Sequence, residues 1–426
     1  IVNTNVEEFD YPQGERAAEH RWTGDRGIRL ASPLVRGLFA LRLGDGNLMV
    51  SGNITPNSRL LLRRSILERA QAVFPFLLFD QDPYIVVSEG RARWILDAYT
   101  ATNQVPYSYR IGGARGLNYL RNSVKIVIDA YTGDMRAYQF AEEPLIQAWR
   151  KIFPGLIQAR DAFPAGLEGH IRYPEDLLQV QSIALQEYHV TEPIAFLNNG
   201  DAWEIGSERG LSGSNETMRP YYVQMVLPGQ KEEEFLQIIP FTPRSKPNMS
   251  GWLAAKCDPK EYGRLLLYRY TRGTLINGPA QMEAIFNQDR VVADINRQFN
   301  NEQSQILVGN LLVVPIGNSV MYVEPLFLRS RTSGIQAPPE LKKVILAFQN
   351  KVVVGDTYEE AKRLLFSGTP SAQTPSSQGE PQPAVSPSQA TETGRATRAL
   401  QLFQQADQAL RGGDFARYGD LQKQLK

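Results

Sequence analysis

The stretch VKIVIDAYTGDMRAYQF, Val124–Phe140, sets two β-rich runs on either side of Tyr131-Thr132-Gly133-Asp134. Alternating β-branched and aromatic residues interrupted by a glycine predict an antiparallel hairpin. Thirty-two residues before Asp129, RWILDAYTATNQ (Arg93–Gln104) carries the same letters D-A-Y-T, at the end of a run that turns at Ser88-Glu89-Gly90. Asp97 and Asp129 can be read as an acid pair, as two arms of a repeat, or as two turns. The first D-A-Y-T closes an outgoing strand and the second enters a turn, which weighs against a strict repeat. An acid pair would need both carboxylates on one substrate. The D-[ST]-G loop of aspartic proteases is also absent, because D-A-Y-T-G sets two further residues before the glycine. Turn capping by Asp and Thr, with Tyr covering a sheet face, explains both copies.

The same grammar continues outward. PLVRGLFALRL, Pro33–Leu43, reads as an apolar helix, and NSRLLLRRSILERAQAVFPF as a second, capped at Asn57 or Ser58 and stopped by Pro75. EEPLIQAWRKIF and PEDLLQVQSIALQEYHV are helical, the latter opening with Pro174 and two acids. Beyond a polar stretch from Asn198 to Met218, YYVQMVLPGQKEEEFLQIIPF predicts another hairpin and PAQMEAIFNQDRVVADINRQF a helix. QILVGNLLVVPIG and SVMYVEPLFLRS pair across Gly317-Asn318, KKVILAFQNKVVVG turns at Gln349-Asn350, and TYEEAKRLLF forms a helix with a capping box from Thr357 and Glu360. The fold class is therefore α+β: antiparallel hairpins with packed helices in two consecutive units, residues 1–215 and 216–367. A Ser/Pro-rich linker over 368–395 follows, then a helical hairpin over 396–426 split at Gly412-Gly413. Its stripes, Leu400, Phe403, Ala406 and Leu410, and Phe415, Tyr418 and Leu421, are too small a core to stand alone and call for the body of the chain, another copy, or a different protein as partner.

Composition narrows the chemistry. With 46 basic and 45 acidic residues in 426 and no dense Lys/Arg run, nucleic acid is set aside as a partner. One cysteine, Cys257, and three histidines argue against disulfide frameworks, Cys-rich metal clusters and Ser-His triads. No cofactor motif of the G-x-G-x-x-G or G-x-x-x-x-G-K-[ST] type occurs, nor do G-x-S-x-G and H-E-x-x-H. No run of about 18 apolar residues is present. The chain opens at Ile1 with neither Met nor a signal pattern, and reads as an internal fragment or a processed product.

Asp80 and Asp82 in FDQDPYIVV have a spacing that can clamp a divalent cation, although an Asx-turn leading into a strand explains them equally. GHIRYPED gathers His170, Arg172, Tyr173 and Glu175 before a helix, with His189 near the other end, where the helix dipole favours it. His170 is a candidate general base. Glu232–Glu234 reads as a solvated hairpin tip, and Trp94 and Trp203 bind glycan only if exposed. GGDF at Gly412–Phe415 is helix punctuation.

The blocks EFDYPQGE, FALRLGDGNLMVSGNITPNSR, DQDPYIVVSEGRARWILDAYT, LNYLRNSVKIVIDAYTGDM, HIRYPEDLLQVQ, PYYVQMVLPG and GNLLVVPIGNSVMYVEPLFL resemble an uncharacterised bacterial membrane-protein family. Its members carry several N-terminal transmembrane helices followed by a large extracytoplasmic region. The hairpins also look like the short sheet-and-helix modules of extracytoplasmic propeptide-type domains. The resemblance implies a location outside the cytoplasm, membrane attachment only through upstream segments, and no assigned catalytic residues. The expected function is a non-enzymatic extracytoplasmic interaction domain, an accessory or scaffold subunit of a larger membrane complex. The alternatives are a cell-envelope hydrolase using Asp80, Asp82 and His170, and a glycan-binding module.

Overall fold

A twelve-residue strand, Arg91–Thr102, organises the first third of the protein. The computed structural model describes residues 1–13, 16–112, 116–210, 214–244, 246–271, 275–317, 319–331, 338–349 and 351–367. After helices α1 (Pro33–Leu43) and α2 (Ile66–Val73) come β1 (Leu78–Phe79), β2 (Tyr84–Ser88), β3 (Arg91–Thr102), β4 (Tyr119–Asp129) and β5 (Met135–Gln139). Then follow α3 (Pro144–Ile152), β6 (Ile157–Gln158) and α4 (Glu175–Tyr188). The sheet order is β6-β5-β4-β3-β1, with β2 also on β3; all neighbours are antiparallel except β6 and β5. Both hairpins expected from the D-A-Y-T stretches are present.

The second sheet contains β7 (Trp203–Ile205), β8 (Tyr221–Val226), β9 (Glu233–Pro243), β10 (Gly251–Lys256) and β11 (Leu265–Arg269). After α5 (Pro279–Gln288) and α6 (Arg290–Phe299), the third sheet is built from β12 (Ser304–Val308), β13 (Leu312–Ile316), β14 (Ser319–Ser330), β15 (Glu340–Phe348) and β16 (Lys351–Gly355), and α7 (Tyr358–Phe366) closes it. The three sheets repeat one topology. In each, two short strands lie end to end along one edge of a long strand, the first at its C-terminal half and the second at its N-terminal half. The long strand pairs on its other edge with the next strand, and that one with the strand after it. A repeat does exist, but its unit is this whole module. The two D-A-Y-T copies are parts of a single module.

The described residues fall in one compact unit. Its largest apolar cluster spans residue 215, joining Tyr99, Tyr173 and Leu178 to Leu236, Ile238 and Phe241 of the second sheet and to Val320, Tyr322 and Ile345 of the third. Leu96, Ala98, Ile126 and Ile128 cover the opposite face of the first sheet with α2 and α3 through Ala70, Phe74 and Ile146. The third sheet does the same with α7, through Leu346, Ala361 and Leu365. Burying these faces is the main stabilising term.

Two helices differ from expectation. The helix expected from Asn57 or Ser58 begins at Ser65, whose hydroxyl accepts the Glu68 N–H at 3.5 Å. Residues before it cannot join, because Arg59–Leu60 pairs as a short strand and Arg63 takes a left-handed φ of +52°. The single helix expected over 279–299 is two, because Asp289 leaves helical geometry and caps α6 by accepting from Val291 and Val292 at 2.9 and 3.2 Å. Thr357 caps α7 as expected, accepting from Glu360 at 3.2 Å.

A Cβ at Gly251, in the interior of the second sheet, would stand 2.2 Å from the Tyr268 carbonyl oxygen. Gly251→Ala should therefore lower the urea midpoint, at a cost of about 1–3 kcal/mol. Glu324 on β14 is 5 % exposed; burial and the neighbouring Glu283 and Glu208, opposed by Arg209, push its carboxyl up to about 8. The folded protein thus holds a proton that the unfolded chain, with its carboxyl near 4.5, gives up. That contribution to stability is complete below the unfolded value and is lost as pH rises to about 8. Melting scans from acid to alkaline pH should show Glu324→Gln flattening the decline and melting higher than the parent at alkaline pH.

Candidate functional site

Of the residues singled out in the sequence, Asp80 and Asp97 lie in a buried polar seam at one face of the first sheet, together with the backbone at Arg172. Asp97 on β3 stands directly opposite Lys125 on β4. Their side chains form an ion pair, 3 % and 0 % exposed. The Lys125 ammonium also donates to the Arg172 carbonyl at 3.3 Å and lies 5.3 and 5.2 Å from the ring centres of Phe140 and Tyr262. Tyr262 donates to the same carbonyl at 3.2 Å. Burial lifts the Asp97 carboxyl above its ordinary value against the pull of Lys125. Asp97 is therefore a mid-strand partner of a lysine and caps no turn, which corrects the turn reading for the first copy.

Asp80 is bound into the same seam. One oxygen accepts the Tyr99 hydroxyl at 2.5 Å and the Asp176 N–H at 3.1 Å; the other accepts the Asp82 N–H at 2.9 Å. The last bond is the expected Asx-turn, whereas the Asp176 bond caps α4 from a distance. Asp176 returns the contact by accepting the Gln81 N–H at 3.1 Å. Thr100 completes the first D-A-Y-T by donating at 2.9 Å to Glu143, the N-cap of α3. Glu143 also accepts from Ser123, Tyr119 and the N–H groups of Leu145 and Ile146. Burial raises its carboxyl, but these donors outweigh it and hold it below the usual range.

Asp129 does cap its turn, accepting from Tyr131 and Thr132 at 3.0 and 2.8 Å, with Arg91 3.3 Å away. Asp82 and His170 are exposed. His189 is buried between the Leu185 and Asp201 carbonyls, both at 3.0 Å, and stacks on Trp203 at 3.8 Å. Trp203 is 5 % exposed and belongs to the core; Trp94 is half-buried. Glu234 departs from the expected solvated tip, pairing at 2.7 Å with the buried Lys256. The Cys257 sulfur accepts the Tyr173 N–H at 3.4 Å, and burial pushes its thiol up to about 11. Among the described residues, no three His, Cys, Asp or Glu side chains are grouped so as to hold a metal ion. Leu400, Phe403, Ala406, Leu410, Phe415, Tyr418 and Leu421 lie outside the described residues.

The surface offers a different feature, which the sequence reading passed over. Apart from Arg36 and Arg42, α1 carries apolar residues on every side, a pattern normally found in buried helices, yet no residue of it is buried. Val35, Phe39 and Ala40 rest on Leu30, Leu48, Ile54 and Leu60. Leu34, Leu38 and Leu41, spaced along one helical face, are 73 %, 60 % and 84 % exposed, and Val50 beyond them is 81 % exposed. The all-round leucines of PLVRGLFALRL were the signal that could have revealed it.

If the seam is a structural clamp, removing one charge should be far worse than removing both. Asp97→Leu or Lys125→Met alone should cost about 3–5 kcal/mol in denaturant unfolding, and the double variant should recover most of that loss.

The Uncharacterised protein family (UPF0182) model matches residues 1–299. Among similar proteins, a UPF0182 protein of Moorella thermoacetica is 42 % identical over 436 residues, covering 100 % of this chain and 46 % of the relative. One of Methanospirillum hungatei is 40 % identical over 423 residues, covering 98 % and 46 %. One of Bradyrhizobium diazoefficiens is 40 % identical over 421 residues, covering 98 % and 44 %. The chain thus spans a little under half the length of the curated relatives it matches. No solved structure matches it significantly. No helix among the described residues is long and apolar enough to cross a membrane. With its expected resemblance upheld at the level of the family, the chain belongs to the uncharacterised UPF0182 proteins.

Proposed function

We propose that this region is a non-enzymatic interaction domain outside the cytoplasm, an accessory or scaffold part of a larger membrane-associated assembly. The observation that carries this reading is the exposed face of α1. Leu34, Leu38 and Leu41 lie in water although the opposite side of the same helix already packs on the body. An unpartnered apolar face of this kind is costly to keep and marks a contact surface. Its occupant is a protein helix with an apolar stripe, which meets the Leu34–Leu41 ridge as one helix meets another. No comparable observation favours the hydrolase or the glycan-binding reading. Asp80 is occupied by its three hydrogen bonds, His170 sits on an exposed turn, and Trp203 is core.

A photo-crosslinking residue placed at position 38 of the intact protein, in its native membranes, tests this directly. The expected product is one discrete protein adduct, identified by mass and lost in the Leu34→Gln/Leu41→Gln background, while the melting temperature stays unchanged. Adducts to lipid alone, to a second copy, or to nothing would reject the reading.

A further inference from the structure

We propose that the hollow beside the Asp129–Asp134 turn binds an oxyanion (phosphate, sulfate or carboxylate) carried on a small organic body. The hollow has a volume of about 520 Å³, and its lining includes Arg26, Arg63, Arg64 and Arg69 together with Trp94 and Tyr131. The two carboxylates it contains are already engaged. Asp129 is taken by its turn N–H groups and Arg91, and Asp134 pairs with Arg26 at 3.1 Å. Among the described residues no carboxylate pairs with Arg63, Arg64 or Arg69. Arg63 and Arg64 are exposed and Arg69 is half-buried, so the three rim the concavity with positive charge that attracts an anion from solvent.

Of these arginines, Arg69 is held in place by the neighbouring backbone. Arg69 donates from Nε to the Gly133 carbonyl at 2.9 Å and from Nη1 to the Arg63 carbonyl at 3.4 Å. Gly133, at φ +73°, is what admits this contact, because a Cβ there would lie 2.9 Å from the Arg69 guanidinium carbon. Nη2 has no partner among the described residues, so the fork is fixed while keeping donors for a planar oxyanion. Arg63 itself sits at φ +52°, and in that conformation its carbonyl receives the Arg69 bond. Beside these cations, Trp94 is half-buried and the Tyr131 hydroxyl is held by the Thr23 N–H at 3.1 Å. Their rings offer an apolar surface to the body of the ligand.

Calorimetric titration of the intact protein at low salt, with a hexose 6-phosphate, inorganic phosphate and the uncharged hexose, decides the matter. The hexose phosphate should bind with a dissociation constant below about 1 mM and weaken as salt is added. Inorganic phosphate should bind several-fold more weakly, and the hexose not at all. Arg63→Gly should weaken the hexose phosphate at least tenfold while leaving the melting temperature equal or higher, because glycine suits the left-handed backbone. Arg297→Gln, the same loss of charge on an exposed helix elsewhere, should change nothing. The proposal is overturned if neither phosphate compound binds, if the hexose binds equally well, or if Arg297→Gln weakens binding as much as Arg63→Gly. Inorganic phosphate binding as tightly as the hexose phosphate would overturn the role given to the two rings.

Discussion

Two opposite charges without access to water, on Asp97 and Lys125, constrain the arrangement of the first sheet and everything packed on it. A buried pair survives only where geometry and surrounding dipoles replace the lost hydration. Here the replacements come from outside the sheet: the Arg172 carbonyl and the rings of Phe140 and Tyr262. The pair therefore fixes the β3–β4 register, since a slip of one residue would turn Lys125 toward the leucines and isoleucines on the other face. It also draws the connection through Arg172 and Tyr173 against the sheet. That delivers the start of α4 to the Asp80 carboxylate.

From this seam the division of labour follows. Asp80 and Asp97, which looked available for chemistry in the sequence, are bound to backbone N–H groups, a hydroxyl and a lysine, and these contacts hold elements together. Features left facing solvent are of another kind, an apolar helix ridge and a hollow rimmed by arginines. Threefold repetition of one sheet topology explains how a single long chain makes its core. The first and third sheets each have one face covered by helices, and the second and third sheets meet, together with Tyr99 of the first, in the shared cluster around Phe241 and Tyr322.

Much of the fold was legible because it is local. Hairpins announced by Glu89-Gly90, Gly133 and Gly317, and caps such as Thr357, depend on neighbours a few residues away. The bonds that define the seam span Asp80 to Asp176 and Lys125 to Arg172, and no periodicity encodes them. For that reason Asp97 and Asp129 looked alike while one is a buried ion-pair partner and the other a turn cap. The break at Asp289 was hidden because its apolar pattern runs on through the cap. Likewise, the long helix expected before Ser65 missed the left-handed Arg63, a conformation that nothing in the letters LLLRRS requires.

The seam joins the first sheet to the rest of the described body as one cooperative unit. Native-state amide hydrogen exchange tests it most directly. Amides of residues 93–100 and 124–128 should open together with those of 251–256 and 343–348, at one common free energy and with one denaturant dependence. Exchange of the first sheet at a distinctly lower free energy, while the other two stay protected, would contradict it.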